Sequence, residues 1–271
     1  MTIDISRPFF SELIESHREW LSGFDEQYAR NWEKLLKADA EAAMCEAGVR
    51  RMLASFDVVV SPNEDLNGNQ QRVDFSCLSN GEKFFVEVAC IPVEKAEKIT
   101  GIADDFQMIF MRNPTPLNGA IRRKCIGKAR QSGNHPAPVL LAIGTWHGSA
   151  AMLSFMPPYP EMLLTGMTTM TVFIDKETLE SSVEPRYESQ LDAAAFIQRS
   201  EEDQIKVVRN SISGLLLCGL SFEPVMRVGI LHPNASKPFS PSWLPDVPFC
   251  EVQINDVDGT LNVQWPKEEQ E

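Results

Sequence analysis

Asp74 and Glu87 carry the most chemical information in this chain because of what lies between them. The stretch RVDFSCLSNGEKFFVEVAC, residues 72–90, is two apolar-rich runs joined by Asn80-Gly81, the dipeptide most favoured at a two-residue type I′ hairpin turn. With that turn Ser79 faces Glu82. The register then pairs Cys77 with Phe84, Phe75 with Val86 and Val73 with Val88, making one face apolar and core-bound. Asp74 falls directly opposite Glu87 on the other face. Like charges so opposed, with Cβ atoms about 4.5–5.5 Å apart, destabilise a hairpin. The repulsion is offset by a shared proton, by a neighbouring cationic side chain or by a divalent metal such as Mg2+; the alternative is a wet hairpin end with two solvated carboxylates.

The elements that must position this pair lie on either side of it. Ser6 and Pro8 start a helix whose Phe9, Phe10, Leu13, Ile14, Trp20 and Leu21 recur at helical spacing, with His17 near that apolar face and read as a core residue. A second helical region runs from Asp25 to about Ser55. Its stripe of Leu35, Ala38, Ala42, Cys45, Val49, Met52 and Phe56 places Glu46 at a buried margin, facing either a cleft or Arg50 at i+4. Residues 57–61 read as a strand and 62–70 as a polar loop carrying Glu64 and Asp65. After Cys90, residues 92–105 read as a loop or short exposed helix, and Pro114 and Pro116 break any helical character of residues 106–112. Asn118 is expected to cap a helix running to Gln131. Its segment IRRKCIGKARQ has five basic residues in eleven, with Lys124, Lys128 and Gln131 on one face and Ile121, Cys125 and Ala129 on another. Such a face beside two carboxylates suits phosphate contact, although a solvated basic face is the ordinary reading. Residues 138–146 read as a buried strand.

Further along, residues 168–175, 213–219 and 226–231 read as strands, 188–199 as an amphipathic helix, and 251–265 as a hairpin around Asp258-Gly259. Residues 232–249 hold five prolines and must be extended or looped. With no linker or internal repeat, the reading is N-terminal helices over 1–55, a core over 56–150, and an extension over 151–271 packed on the same α/β domain.

The net charge of −13 opposes nonspecific adhesion to nucleic acid. Six cysteines lack any Cys-x-x-Cys pair and are expected as reduced, buried thiols. No leader or membrane-spanning run is read, so a cytoplasmic protein is expected. Motifs for P-loop, dinucleotide, zinc-protease and serine-hydrolase chemistry are missing, and His135, His147 and His232 are too dispersed for a zinc site. His147, just past the last core strand, is placed either near the cleft or, as is more usual there, at the surface.

An acid on a helix (Glu46), a hairpin bearing Asp74 then Glu87, and a following helix with Lys128 and Gln131 together resemble the PD-(D/E)XK nuclease-like superfamily. The resemblance covers residues 41–147. It implies a restriction-endonuclease-like αβββαβ core with a mixed sheet, and metal-dependent hydrolysis of a phosphodiester in DNA or RNA. It further implies Mg2+ or Mn2+ held by Asp74, Glu87, the Val88 carbonyl and Glu46, with Lys128 and Gln131 at the phosphate or attacking water. The family's lysine two residues after the second acid is Ala89 here. Arg72, which the register sets opposite Ala89, and Lys128 or Lys124 are the stand-ins. A degenerate scaffold that binds protein or nucleic acid without cutting is the competing expectation, and an acidic protein serving a basic partner is a third. A protein partner or homo-oligomer is compatible with each.

Overall fold

The computed structural model describes residues 3–5, 7–63, 73–103, 115–172, 174, 176–178, 186–202, 204–255 and 260–266. Three helices come first. α1 (Pro8–Leu21) has Pro8 at its first position, where the missing N–H costs nothing, and buries Phe10, Leu13, Ile14, His17 and Leu21. α2 (Glu26–Ala38) starts where the Asp25 carboxylate accepts the Gln27 N–H at 2.8 Å. Asp39 leaves helical geometry and accepts the Ala42 N–H, so α3 (Ala40–Ala54) is a separate helix. The single stripe expected from Leu35 to Phe56 is broken there: Ala38 is exposed, while α3 is buried on almost every side between its neighbours and the sheet.

The expected hairpin is present in the expected register. β2 (Phe75–Ser79) and β3 (Glu82–Cys90) pair antiparallel from Ser79↔Glu82 to Phe75↔Val86. Asn80 and Gly81 both have positive φ, 52° and 80°, as a type I′ turn requires. β1 (Val59–Pro62) pairs antiparallel with β2. α4 (Val93–Thr100) and α5 (Asn118–Lys128) come after β3, and β4 (Val139–Thr145) returns parallel to it.

Beyond α6 (Gly148–Phe155) and α7 (Tyr159–Thr165), two small ribbons stand apart from the main sheet. The expected helix over 188–199 is not formed. Those residues lie in β6 (Arg186–Gln190), which pairs with β5 (Met167–Thr171), a single turn, and β7 (Ile197–Arg199), which pairs with β8 (Ile205–Val207). Ala194, Ala195, Phe196 and Ile197 are buried consecutively, which no amphipathic helix permits. The last strands rejoin the main sheet. β9 (Gly214–Gly219) pairs parallel with β4 and antiparallel with β10 (Met226–Leu231). β11 (Phe249–Ile254) and β12 (Leu261–Gln264) complete an eight-stranded mixed sheet in the order β1-β2-β3-β4-β9-β10-β11-β12. Among the described residues, no helix is long and apolar enough to cross a membrane.

Alternation along the central strands sorts the core into two layers. Phe84, Val86, Val88, Leu140, Ala142, Leu216 and Cys218 meet α1–α3. Ala89, Ile91, Leu141, Ile143, Leu215 and Leu217 meet the layer holding α4 to α7. Burial on both faces explains why β3 and β4 read as near-continuous apolar runs. Glu87 shares the parity of Ala89 and so points into the second layer, under α5. All six cysteines are free and buried, and burial pushes the Cys125 and Cys250 thiols up to about 12, leaving them inert at neutral pH.

Two packing details carry predictions. Gly229 lies beside Phe249 across the β10–β11 pair, and a Cβ there would overlap the ring. Gly229→Ala is expected to destabilise the fold by about 1–3 kcal/mol in chemical denaturation, since the ring, packed against Phe239, must shift to make room. His17 is buried against Trp20 and Trp32, and burial, then the nearby Arg50 charge, lower its pKa to about 3. The folded state thus keeps His17 neutral where the unfolded chain protonates it. Stability is fully present above pH ~6.5 and is expected to fall by about 1.4 kcal/mol per pH unit from there toward pH 3. Denaturation midpoints of wild type and His17→Leu across that range check this: the variant loses the slope.

Candidate functional site

The ladder between β2 and β3 stops at Phe75↔Val86, one residue short of the two acids. Asp74 sits at a bend whose carbonyl accepts the Asn63 N–H at 2.9 Å, while the Val73 carbonyl accepts from the Asn63 side chain at 3.1 Å. With the β2 backbone turned toward Asn63, a carboxylate oxygen takes over its partner: Asp74 Oδ2 accepts the Val88 N–H at 2.6 Å. Val73 accordingly does not extend the apolar face of Phe75 and Cys77, as its expected pairing with Val88 required. It packs with Phe85, Val139 and Ala137. Asp74 is held beside Glu87 by this bond to the neighbouring residue of β3.

Of the ways to relieve the two charges, the structure supplies a cationic side chain. Lys128, in the last turn of α5, donates from its ammonium to Glu87 Oε1. The Glu87 side chain is only 4% exposed and that of Lys128 31%. Burial raises the Glu87 pKa, and the Lys128 charge and hydrogen bond, with the Asp74 N–H, pull it only part of the way back. For Lys128 burial opposes the ammonium, but Glu87, then Asp74 and Glu46, raise it above an ordinary lysine. Asp74, Glu87, Glu46 and Lys128 therefore share one electrostatic site, although α3 and α5 belong to opposite layers.

The second oxygen of Glu87, Oε2, is buried and has no hydrogen-bond partner among the described residues. A buried carboxylate oxygen left without a donor is costly and asks for a cation or an acidic proton. With oxygen donors only, one or two of them carboxylates, the site fits a hard divalent ion of the Mg2+ type. The described residues contain no group of three or more His, Cys, Asp or Glu side chains gathered closely enough to chelate an ion. The expected triad of Glu46, Asp74 and Glu87 is thus not assembled as a chelate: Lys128 is the cation whose charge interacts with all three acids.

Several expected residues lie elsewhere. Arg72, Glu64 and Asp65 fall outside the described residues, as does 104–114 between α4 and α5. Gln131 is not on α5, which ends at Lys128; it begins a short 3-10 turn (Gln131–Asn134), so the face shared with Lys124 and Lys128 ends one turn early. Asn118 is not a cap: Leu117 precedes the helix, and the Asn118 amide donates to the Tyr159 carbonyl at 2.8 Å. His147, expected at the surface, is fully buried. Its Nδ1 accepts the Ala150 N–H at 3.1 Å to start α6, so its Nε2 carries the proton shared with the Ile102 carbonyl at 3.0 Å. Arg50, the surface partner considered for Glu46, donates to Ser16 at 3.1 Å and lies over Trp20.

Two contributors are not apparent in the sequence. Glu41 is buried and accepts the Val93 N–H at 2.8 Å, anchoring the start of α4 to α3 directly after β3. Lys95, in the first turn of α4, lies close enough to Lys124 to oppose its charge. Their common signal is only that a helix starting three residues after a strand keeps its first turn near that strand's end. Comparison with models of known families, with curated proteins and with solved structures finds no match.

Proposed function

We propose that this protein is a divalent-metal-dependent phosphodiester hydrolase acting on DNA or RNA, built on a PD-(D/E)XK-like core. The order α3, β1, β2, β3, α5, β4, with α4 inserted between β3 and α5 and a mixed sheet whose β4 runs parallel to β3, supports that core. The observation that carries the activity is the buried Glu87 carboxylate, one oxygen on Lys128 and the other without a partner among the described residues, next to Asp74.

Asp74 and Glu87 are the residues to hold Mg2+ or Mn2+, with the Val88 carbonyl as a further donor and Glu46, which does not join them in a chelate, acting through water. Such an ion lowers the pKa of a coordinated water and stabilises charge on the scissile phosphate. Lys128 orients the Glu87 carboxylate and supplies positive charge where the phosphate becomes more anionic. It does so in place of the family's strand lysine, and the packing favours the exchange. Ala89 is buried with Ile121 and Cys125 of α5, so a long side chain at 89 would have to pass beneath the helix. A small residue lets α5 come down and Lys128 reach Glu87.

The experiment is a panel of labelled DNA and RNA, single- and double-stranded, incubated with Mg2+ or Mn2+. Cleavage by wild type and its loss in Asp74→Ala support the reading; an inert wild type on every substrate sinks it. Ala89, the −13 charge and the lack of a three-acid group among the described residues favour a second reading, a nuclease-like scaffold that binds without cutting. Nucleic-acid binding without metal-dependent cleavage would favour it.

A further inference from the structure

Lys128 has an ion-pair partner in Glu87, but among the described residues the lysine one turn before it has none. Lys124 is half-buried and has no hydrogen bond or ion pair among the described residues. Burial, then the charge of Lys95, oppose its ammonium, and Lys128 adds to this; the carboxylate it feels is Asp39, less than it feels Lys95. Half-burying an ammonium beside two others is unfavourable unless an anion joins them.

The chain path sets these lysines in a row. α5 is the crossover between parallel strands β3 and β4, so it runs back against β3. Moving from Lys128 to Lys124, about 6 Å along the helix, moves from Glu87 toward Cys90 at the end of β3, whose thiol is among the groups that Lys124 senses. Three residues further on α4 begins, and Lys95 lies in its first turn. Three ammonium groups therefore lead away from the carboxylates toward one end of the strand, in a chain that carries 38 acids against 25 bases. Cations set one after another along such a path suit the repeated phosphates of a strand.

We propose that Lys124 and Lys95 hold successive phosphates of the polynucleotide on one side of the scissile linkage. This rests on the hydrolase reading for the identity of the scissile group, but the binding it describes needs no cleavage.

The test measures anisotropy of a labelled single strand of about twelve nucleotides, DNA and RNA, in EDTA across a NaCl series. Removing one cation that pairs with a phosphate of a single strand lowers the slope of log K against log salt by about 0.7, so Lys95→Met/Lys124→Met is expected to lower it by about 1.4. Lys124→Arg should keep the slope. Because Lys124 has no ion-pair partner to abandon among the described residues, Lys124→Met should unfold at a temperature no lower than wild type; should it fail to fold, the exposed Lys95→Met alone still predicts a drop of about 0.7. An unchanged slope in the variants, or no binding by wild type, overturns the proposal. Cleavage that depends on Asp74 while the slope stays unchanged would overturn it and leave the hydrolase reading standing. Lysine-dependent binding with no cleavage would leave the lysine row standing and sink the hydrolase.

Discussion

Lys128→Met is expected to lose metal-dependent cleavage by about 10²–10³-fold, the range for removing one positioned donor from a reacting centre, and to unfold more easily. The stability loss comes from Glu87, left buried without its counter-charge. We expect about 3 kcal/mol at neutral pH, the low end for breaking a buried pair, because Lys128 is 31% exposed and the pair is partly screened. The pH dependence separates this cause from simple loss of packing. Burial already raises the Glu87 pKa in the folded protein, and removing Lys128 raises it further. An acid raised in the folded state binds its proton more tightly there than in the unfolded chain. Stability is then retained below the unfolded value and lost as pH rises toward the folded one. The deficit of the variant should therefore shrink toward acidic pH and grow toward alkaline pH in urea titrations. Adding Glu87→Gln should restore most of the stability without restoring activity; a deficit that ignores pH would sink the explanation.

Glu87→Gln separates function from stability. The amide keeps the shape of the carboxylate and removes the charge that burial opposes, while Lys128, 31% exposed and still near Asp74 and Glu46, keeps some of its counter-charge, so the loss of thermal stability at neutral pH should be smaller than in Lys128→Met. Cleavage should fall by about 10²–10³-fold or more, and calorimetry should show weakened or lost Mn2+ binding. In wild type, ion affinity should rise with pH through the range in which Glu87 gives up its proton, because an ion competes with that proton for the same oxygens. Undiminished Mn2+ binding by Glu87→Gln would remove Glu87 from the site.

The hairpin is legible in the amino-acid order because its causes are local. Asn80-Gly81 accepts positive φ at both positions, and the apolar alternation on either side admits one register. Those two facts suffice to set Asp74 and Glu87 side by side. The opening beyond Phe75 is not legible, because it depends on Asn63 drawing the Val73 and Asp74 carbonyls away from the ladder. Gln131 is misplaced by sequence pattern for a related reason: helical period continues past Lys128 in the sequence, but the helix itself ends there and a tighter turn takes over.

What the sequence determined by itself is two acids on one turn-defined hairpin and a basic helix downstream, since turn chemistry and two-residue alternation act over a few residues. Which cation meets Glu87 was decided only by the tertiary structure. Lys128 is 41 residues away in the chain, and it arrives because β4 pairs parallel to β3 and α5 crosses between them in the layer that also buries the small Ala89. No local pattern carries that distance; only the packing of a helix on a sheet does.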